Sequence, residues 1–467
     1  MNQNKMADSD TADSGQRIDY FLADLDRRAN PERSRRFSNS EFEAGLNRLT
    51  RLLYVSRQML SIDFQPKLRI SIVGTNGKGS VAFALESLFR QSQTLFEKPT
   101  VSTRQTSDVP VLPSQTLPSP VTGLFTSPHL VSFTERIRLN RLPVSVADLT
   151  CVYDRIAKLP FSATEQTTFA SLTYFELLTL LAVILFDERQ IDIQIFEAGL
   201  GGRLDATRIT DPTVVVVTSI GLDHTSLLGH TRRQIFQEKI AIAGDKTSAV
   251  FIEDANFLRY VAANLQPTSV VFHETSANNH SNYITYNQNY ARFIFENLTK
   301  RFSVPVSQNT KDIVIEPAPG RFERRIVDGR QFIFDNGHNA NAVFTFLSQL
   351  SKSVDLLQTI VVAGIAVDRP VHSILRILNR FQCKKLLLCK GSGLQTIDEA
   401  TAAKWLTDID YELMNQREIQ DNLRNETTLS ANVVFLGSHR LYELFDTLTQ
   451  LQTTDTNEQS AEKSSSF

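Results

Sequence analysis

Residues 68–90 constrain the chain more than any other stretch. They read LRISIVG, then TNGKGS, then VAFALESLFR. An apolar run suited to a buried strand ends at Gly74, and Ser80 opens a segment with the apolar spacing of a helix. Gly74, Gly77 and Gly79 let the backbone turn tightly, so that successive N–H groups can face a chain of phosphates. The helix N-terminus adds the positive end of its dipole, Lys78 a mobile charge and Ser80 a hydroxyl for Mg²⁺. Thr75 and Asn76 complete the turn. The spacing G-x-x-G-K-G-S departs from the strict Walker form, so the placement between strand and helix carries the reading. A structural glycine turn with a solvated lysine is the alternative, and that placement disfavours it.

The same alternation recurs downstream. Strands end near Val73, Phe125, Phe196 and Thr218, and each is followed at once by glycine, polar or ionisable residues. Strands separated by helices form a parallel sheet, and such sheets bind ligands at the carboxyl ends of their strands. Lys78, Ser127, Glu197 and His224 can therefore converge across about 150 residues of sequence. Singly, Glu197 could cap a helix and His224 could sit hydrogen-bonded in a core. Residues 17–57 have helical periodicity, and residues 173–188 form a helix that is apolar nearly all round and hence buried. Residues 268–288 read as loop and residues 290–302 as a closing helix. Past an interdomain crossing at 311–319, residues 331–334, 359–363, 385–389 and 433–436 make a second, smaller parallel sheet. Its first strand runs into Asp335, Asn336, Gly337, His338 and Asn339, before a helix over 340–350.

Composition sets the remaining bounds. With 467 residues and 41% hydrophobic content, the chain can bury cores for two or three domains. A net charge of −2 with both signs interspersed gives no basis for nucleic-acid or anionic-membrane binding. Cys151, Cys383 and Cys389 form no C-x-x-C pair and read as reduced core thiols, which places the protein in the cytoplasm. No signal peptide is expected at the polar N-terminus, and the longest apolar run, residues 177–186, is half a membrane span. The expected organisation is a disordered 1–16, an ATP-type phosphate-loop domain over 17–308, a smaller Rossmann-like α/β domain over 309–452 and a disordered 453–467. Residues 91–121, with five prolines, read as a solvated surface insertion in the first domain.

The motifs VGTNGKGS, FTSPHLVSFTERI, TYFELLT, FEAGLGGRLDAT, TSIGLDHTSLLG, EKIAIAG, PGRFE and FDNGHNANA together resemble the folylpolyglutamate synthases and dihydrofolate synthases, within the Mur-ligase-like amide ligases. They run in family order from about residue 68 to 345. The resemblance implies a Mur-ligase-like α/β fold and ATP-dependent addition of L-glutamate to a folate or pteroate through an acyl phosphate. It implies that Gly74, Thr75, Asn76, Gly77, Lys78, Gly79 and Ser80 hold ATP together with Arg321 and Asp335. Mg²⁺ would be held by Ser80, Ser127, Glu197 and His224, and Lys239 would be carbamylated; the bland reading of Lys239 is a solvated lysine paired with Glu238. Lys78, Lys239, His338 and Asp335 would be catalytic, with Asp335 organising its loop or assisting the incoming amine. Asp205 and Phe175 would contact the folate. The partners expected are small molecules alone, with no nucleic acid or membrane, and the protein is expected to be a monomer.

The chain departs from the family pattern at Ile240-Ala241, where Ala-Gly is usual, at Asn336, Gly337 and Ala340 within the Asp335–Ala340 motif, and at Val367-Asp368-Arg369. Three rival readings stand beside the main one. A cell-wall Mur ligase needs a UDP-sugar domain before the phosphate loop, and the roughly 70 helical residues there are too few. A silent nucleotide-binding paralogue would have no reason to retain Lys78, Glu197, His224 and Lys239. A kinase would not need a second α/β domain with its own polar strand ends.

Overall fold

The computed structural model describes residues 2–29, 39–93, 122–264, 270–272, 282–304, 306, 312–367, 369–391, 393–425 and 432–450. These divide into two compact units. The first lies within Met1–Ser127, Thr134–Ser281 and Thr285–Pro317, and the second within Pro128–Phe133, Asn282–Ile284 and Ala318–Phe467.

Among the described residues the first unit is built on eight strands: β1 (Leu68–Val73), β2 (Thr122–Phe125), β3 (Ile137–Leu139), β4 (Leu142–Pro143), β5 (Ile193–Glu197), β6 (Val214–Val217), β7 (Ala249–Ile252) and β8 (Val270–Phe272). Their order is β4-β3-β2-β5-β1-β6-β7-β8. All six residues of β1 are buried, as a central strand covered on both faces requires. It pairs in parallel with β5, Ile72 opposite Glu197, and with β6, Val73 opposite Val217. The carboxyl ends of these three strands are therefore level. Only β3 and β4 run antiparallel, as an edge extension.

Helix Tyr174–Glu188 is buried almost throughout and is started by a capping box between Thr173 and Glu176. Among the described residues no single helix is long and apolar enough to cross a membrane. The amino end of the sheet is held by polar groups. Arg69 on β1 pairs with the buried Asp187 at 2.6 Å and donates to Gln194 on β5 at 2.8 Å, while Gln194 donates to Asp187 at 3.0 Å.

The second unit contains β9 (Glu323–Val327), β10 (Arg330–Asp335), β11 (Thr359–Gly364), β12 (Lys385–Lys390), β13 (Tyr411–Asn415) and β14 (Asn432–Leu436), ordered β13-β12-β11-β14-β10-β9. The sheet is parallel except for the β9–β10 hairpin. One face is covered by helices Ala340–Leu350 and Val371–Phe381, through Phe346, Leu347, Ile374 and Leu378. The other is covered by helices Gln416–Asn425 and Tyr442–Gln450, through Ile419, Leu444 and Phe445.

Several expectations need correction. The first helix spans Asn2–Arg27, so residues 2–16 are helical where the sequence suggests disorder. Elongating a helix already nucleated by the buried Phe21 and Leu25 costs little, even for polar residues. The stretch read as loop over 268–288 contains β8 and the first turns of helix Tyr283–Arg301. The chain leaves the first unit between Pro317 and Ala318, later than residue 308. Residues 313–315 are laid along helix Tyr283–Arg301 by Arg292, which donates to the Ile313 carbonyl at 2.6 Å, and Gln288, which donates to that of Ile315 at 3.2 Å. Strands β3, β4, β7, β9 and β13 are also absent from the sequence expectation; β3 and β4 are very short, and β9 and β13 are half-buried and lack an apolar run. Helix Lys78–Gln93 ends just inside the expected insertion, and residues 94–121 and 451–467 lie outside the described residues.

We predict that Asp187→Ala destabilises the protein by about 3–5 kcal/mol, because it leaves the buried Arg69 guanidinium without its carboxylate. Urea unfolding checks this; a loss below about 1 kcal/mol would mean that Arg69 finds another partner.

Candidate active site

The phosphate-loop segment is stitched to the end of β6. Thr75 N–H donates to the Ser219 carbonyl at 2.7 Å, and its hydroxyl exchanges hydrogen bonds with the backbone of Gly221 at 3.0 and 3.1 Å. Thr218 Oγ1 donates to the Asn76 carbonyl at 2.8 Å. A Cβ at Gly74 would lie 1.9 Å from that same Thr218 oxygen, so no side chain fits there. Gly77 has φ +88°, and a Cβ would meet Asn287 Oδ1 at 2.9 Å. Lys78 and Ser80 open the helix and are half-buried.

Glu197, the last residue of β5, is 95% buried by virtue of its 5% exposure. Its Oε2 accepts the Ser127 N–H at 3.1 Å and would lie 3.4 Å from a Cβ at Gly79. Ser127, Glu197 and the loop are thus held together. His224 follows β6 with φ +46° and ψ +40°, a left-handed conformation uncommon outside glycine, as the N-cap residue of a short turn Thr225–Leu228. Its N–H donates to Asp223 Oδ1 at 2.8 Å. Among the described residues no three His, Cys, Asp or Glu side chains form a ready-made metal cage. Mg²⁺ is bound through one or two carboxylates together with waters and phosphate oxygens, and Glu197 supplies such a carboxylate beside the phosphate-loop segment.

Lys239 sits on helix Arg232–Ile240 and is buried rather than solvated. Glu238 pairs instead with Arg203, at 3.1 Å. Among the described residues no hydrogen bond or ion pair to Lys239 Nζ is found. Burial, reinforced by repulsion from Lys78 and opposed by Asp223, Asp205 and Glu238, lowers its pKa from 10.5 to about 7. The loop over 199–205 presses on this helix: a Cβ at Gly202 would lie 2.1 Å from the Lys239 carbonyl oxygen. Ala241, at the departure from the family's Ala-Gly pair, has φ −66°, which any residue adopts.

Asp205 is buried with both carboxylate oxygens engaged. Oδ2 accepts Leu200 N–H at 2.8 Å, and Oδ1 accepts the N–H and hydroxyl of Thr207 at 2.9 and 2.6 Å. Burial raises its pKa against these donors. Phe175 packs on Phe125 with ring centres 5.5 Å apart and would touch a Cβ at Gly199 at 2.9 Å. Asp205 is thus spent on shaping its loop, whereas Phe175 is half-buried beside the ends of β2 and β5.

In the second unit, Asp335 closes β10. Its Oδ2 accepts the Tyr283 hydroxyl and the Phe322 N–H, the latter at 3.0 Å, and its Oδ1 accepts the Gly337 N–H at 2.8 Å. Burial pushes its carboxyl up, and Arg321 leads the groups that oppose this. His338 Nδ1 lies 3.1 Å from the Asn336 carbonyl oxygen, an atom that only accepts, so Nδ1 carries the proton in that contact. Asn339 caps helix Ala340–Leu350 through Ala342 N–H at 3.0 Å. Arg321 is half-buried next to Phe322. Asp223, Asn287 and Tyr283 escaped the sequence reading. Asp223 lies within the conspicuous GLDHT run, while Asn287 and Tyr283 sit in a stretch without apolar periodicity.

Residues 150–322 match the family model described as the Mur ligase middle domain. The dihydrofolate synthase/folylpolyglutamate synthase of Buchnera aphidicola subsp. Schizaphis graminum is 30% identical over 331 residues, covering 66% of this chain and 71% of that protein. The Mycobacterium tuberculosis folylpolyglutamate synthase complexed with ADP superposes with TM-score 0.70 at 20% identity, over 94% of this chain and 99% of that one. The bifunctional Yersinia pestis enzyme complexed with AMPPNP and Mn ion superposes with TM-score 0.68 at 22% identity, over 92% and 97%. Likeness at these identities speaks to the fold, which is Mur-ligase-like.

The buried amine gives a prediction with a definite sign. Because the folded pKa of Lys239 lies below the unfolded one, the unfolded chain binds the extra proton between about pH 7 and 10.5. The buried lysine therefore weakens folding most at and below pH 7, and not at all above about 10.5. Lys239→Met is expected to raise the melting temperature of chelator-treated, ligand-free protein near pH 7, with the gain shrinking toward pH 10. A gain independent of pH would refute the assignment.

Proposed function

The chain belongs to the dihydrofolate synthase/folylpolyglutamate synthase family, and from that premise we propose that it is an ATP-dependent ligase adding L-glutamate to a folate, to dihydropteroate, or to both. The observation that carries this reading is Glu197, a buried carboxylate held against Gly79 of the phosphate-loop segment by the Ser127 N–H. Nucleotide phosphates cradled by residues 74–80 would place their charge beside it, where only a cation reconciles the two. The residues fit Mg²⁺, held by Ser80, Ser127, Glu197 and His224, and the ion's contribution when bound is to neutralise phosphate charge.

The substrate carboxylate attacks the γ-phosphorus of ATP and ADP departs, leaving an acyl phosphate. The glutamate amine, having lost its proton, attacks the acyl carbon, and inorganic phosphate leaves as the amide forms. Lys78 supports the transferring phosphoryl group by position and charge. Lys239, with a pKa near 7, holds the neutral amine that carbamate formation requires, and the carbamate would supply a negative charge near Lys78. Arg321 and His338 serve the nucleotide and the acyl phosphate, Asp335 holds their loops, Asp205 shapes the folate-side loop, and Phe175 offers it an aromatic face. The enzyme acts as a cytoplasmic monomer; three unpaired cysteines accord with a reducing compartment.

Purified protein with ATP, Mg²⁺ and glutamate, offered dihydropteroate and tetrahydrofolate in turn, is expected to yield products one glutamate heavier by mass. No product from either pterin would overturn the reading. Lys78→Ala is expected to lower turnover by about 10²-fold or more while preserving the fold. Near-normal turnover would remove the lysine from the reaction.

Glu197→Ala and His224→Ala are each expected to raise the Mg²⁺ concentration needed for half-maximal rate. Their double variant should lose much less than the sum of the two losses, as for groups acting on one ion. Full additivity in a magnesium titration would assign them to separate sites.

A further inference from the structure

Asp335 holds two loops of the second unit at once. Oδ2 takes the N–H of Phe322, next to Arg321, and Oδ1 takes the N–H of Gly337, next to His338. The loops are also joined directly, Asn336 N–H donating to the Gly320 carbonyl at 2.9 Å. Where Asp335 sits thus decides where the guanidinium of Arg321 and the imidazole of His338 are presented. The third donor to this carboxylate comes from far away in sequence. It is the hydroxyl of Tyr283, in the three-residue segment Asn282–Ile284 that belongs to the second unit.

Tyr283 is well anchored for this task. Its ring lies 6.4 Å from that of Phe322, which in turn stacks edge-on against the buried Phe346 at 5.2 Å. The hydroxyl is the only side-chain donor to Asp335 among the described residues; the other two are backbone N–H groups. Burial, with the Asp335 charge next, keeps the phenol protonated far above its ordinary range, so it acts as a donor at every working pH. Without it, Oδ2 would retain one donor, and a buried carboxylate short of a donor relaxes toward whatever can supply one.

We propose that Tyr283 is a positioning residue for the ligase reaction: its hydroxyl fixes the Asp335 carboxylate, and through it the spacing of the Arg321 and His338 loops. It touches no reacting atom in this role. The inference rests on the function proposed above, because only there do Arg321 and His338 have work to do.

The test is Tyr283→Phe, which removes one oxygen and keeps the ring, with Tyr283→His as a second variant that retains a ring N–H donor. Backbone hydrogen exchange is read on ligand-free protein, and kcat and KM on the ligase reaction with active-site concentration normalised. In the Phe variant the amides of Phe322 and Gly337 should exchange faster while those in the middle of β11 and β14 do not. Its kcat should fall about 10- to 100-fold, the range for loss of a hydrogen bond to a charged group, with KM for the pterin unchanged. The His variant should retain more turnover than the Phe variant.

Unchanged exchange at Phe322 and Gly337 would overturn the proposal, as would faster exchange across the whole second sheet, which marks a purely structural role. Unchanged kcat with faster local exchange would overturn it too, by separating the loops from the reaction. If wild-type protein forms no glutamylated product, the proposed function fails, and the exchange readout still decides whether Tyr283 holds the loops.

Discussion

The first unit depends on how closely the end of β1 approaches the end of β6. Thr218 Oγ1 occupies the place where any side chain at Gly74 would have to go, and it spends its hydrogen on the Asn76 carbonyl. A residue with a Cβ at position 74 would force these strand ends apart. Thr75 would then lose its bonds to Ser219 and Gly221, and the helix carrying Lys78 and Ser80 would no longer start level with Glu197. The missing methyl group thus keeps the ends of β5, β1 and β6 in register.

Around that register, buried charge is handled in two ways. Asp205 and Asp335 are carboxylates whose oxygens are all engaged by N–H and O–H donors, local ones for Asp205 and partly remote ones for Asp335. Such groups shape loops. Lys239 is the opposite case: a buried amine with no acceptor among the described residues, whose proton is held weakly because desolvation and Lys78 both disfavour the charge. A group in that condition weakens the fold at neutral pH, which marks it as a candidate functional residue rather than a stabilising one.

Much of this was legible in the chain. Four of the strands flanking the site, the buried helix Tyr174–Glu188 and the phosphate-loop segment follow from apolar runs punctuated by glycine. The convergence of Ser127 and Glu197 follows from the rule that parallel strands present their carboxyl ends together, and the register of β2 and β5 bears out their placement at one edge. Strands β9 and β13 were missed because a half-buried strand at the margin of a sheet needs no apolar run. The helical residues before Arg17 were missed because composition does not register a helix extended from a buried segment beyond it.

Sequence by itself determined the elements whose signal is local: strand, glycine turn, helix, and the ionisable residue placed directly after a strand. It also determined the family, because runs such as GLGGRLDAT are long and ordered. Tertiary structure alone decided which ionisable groups are spent and which are available. Lys239 is buried while its neighbour Glu238 pairs with Arg203, and Asp205 is consumed by Leu200 and Thr207. Tyr283 joins Asp335 from 52 residues away. Hydrogen-bond partners and desolvation depend on distances between segments remote in the chain, and no local pattern of residue types encodes those distances.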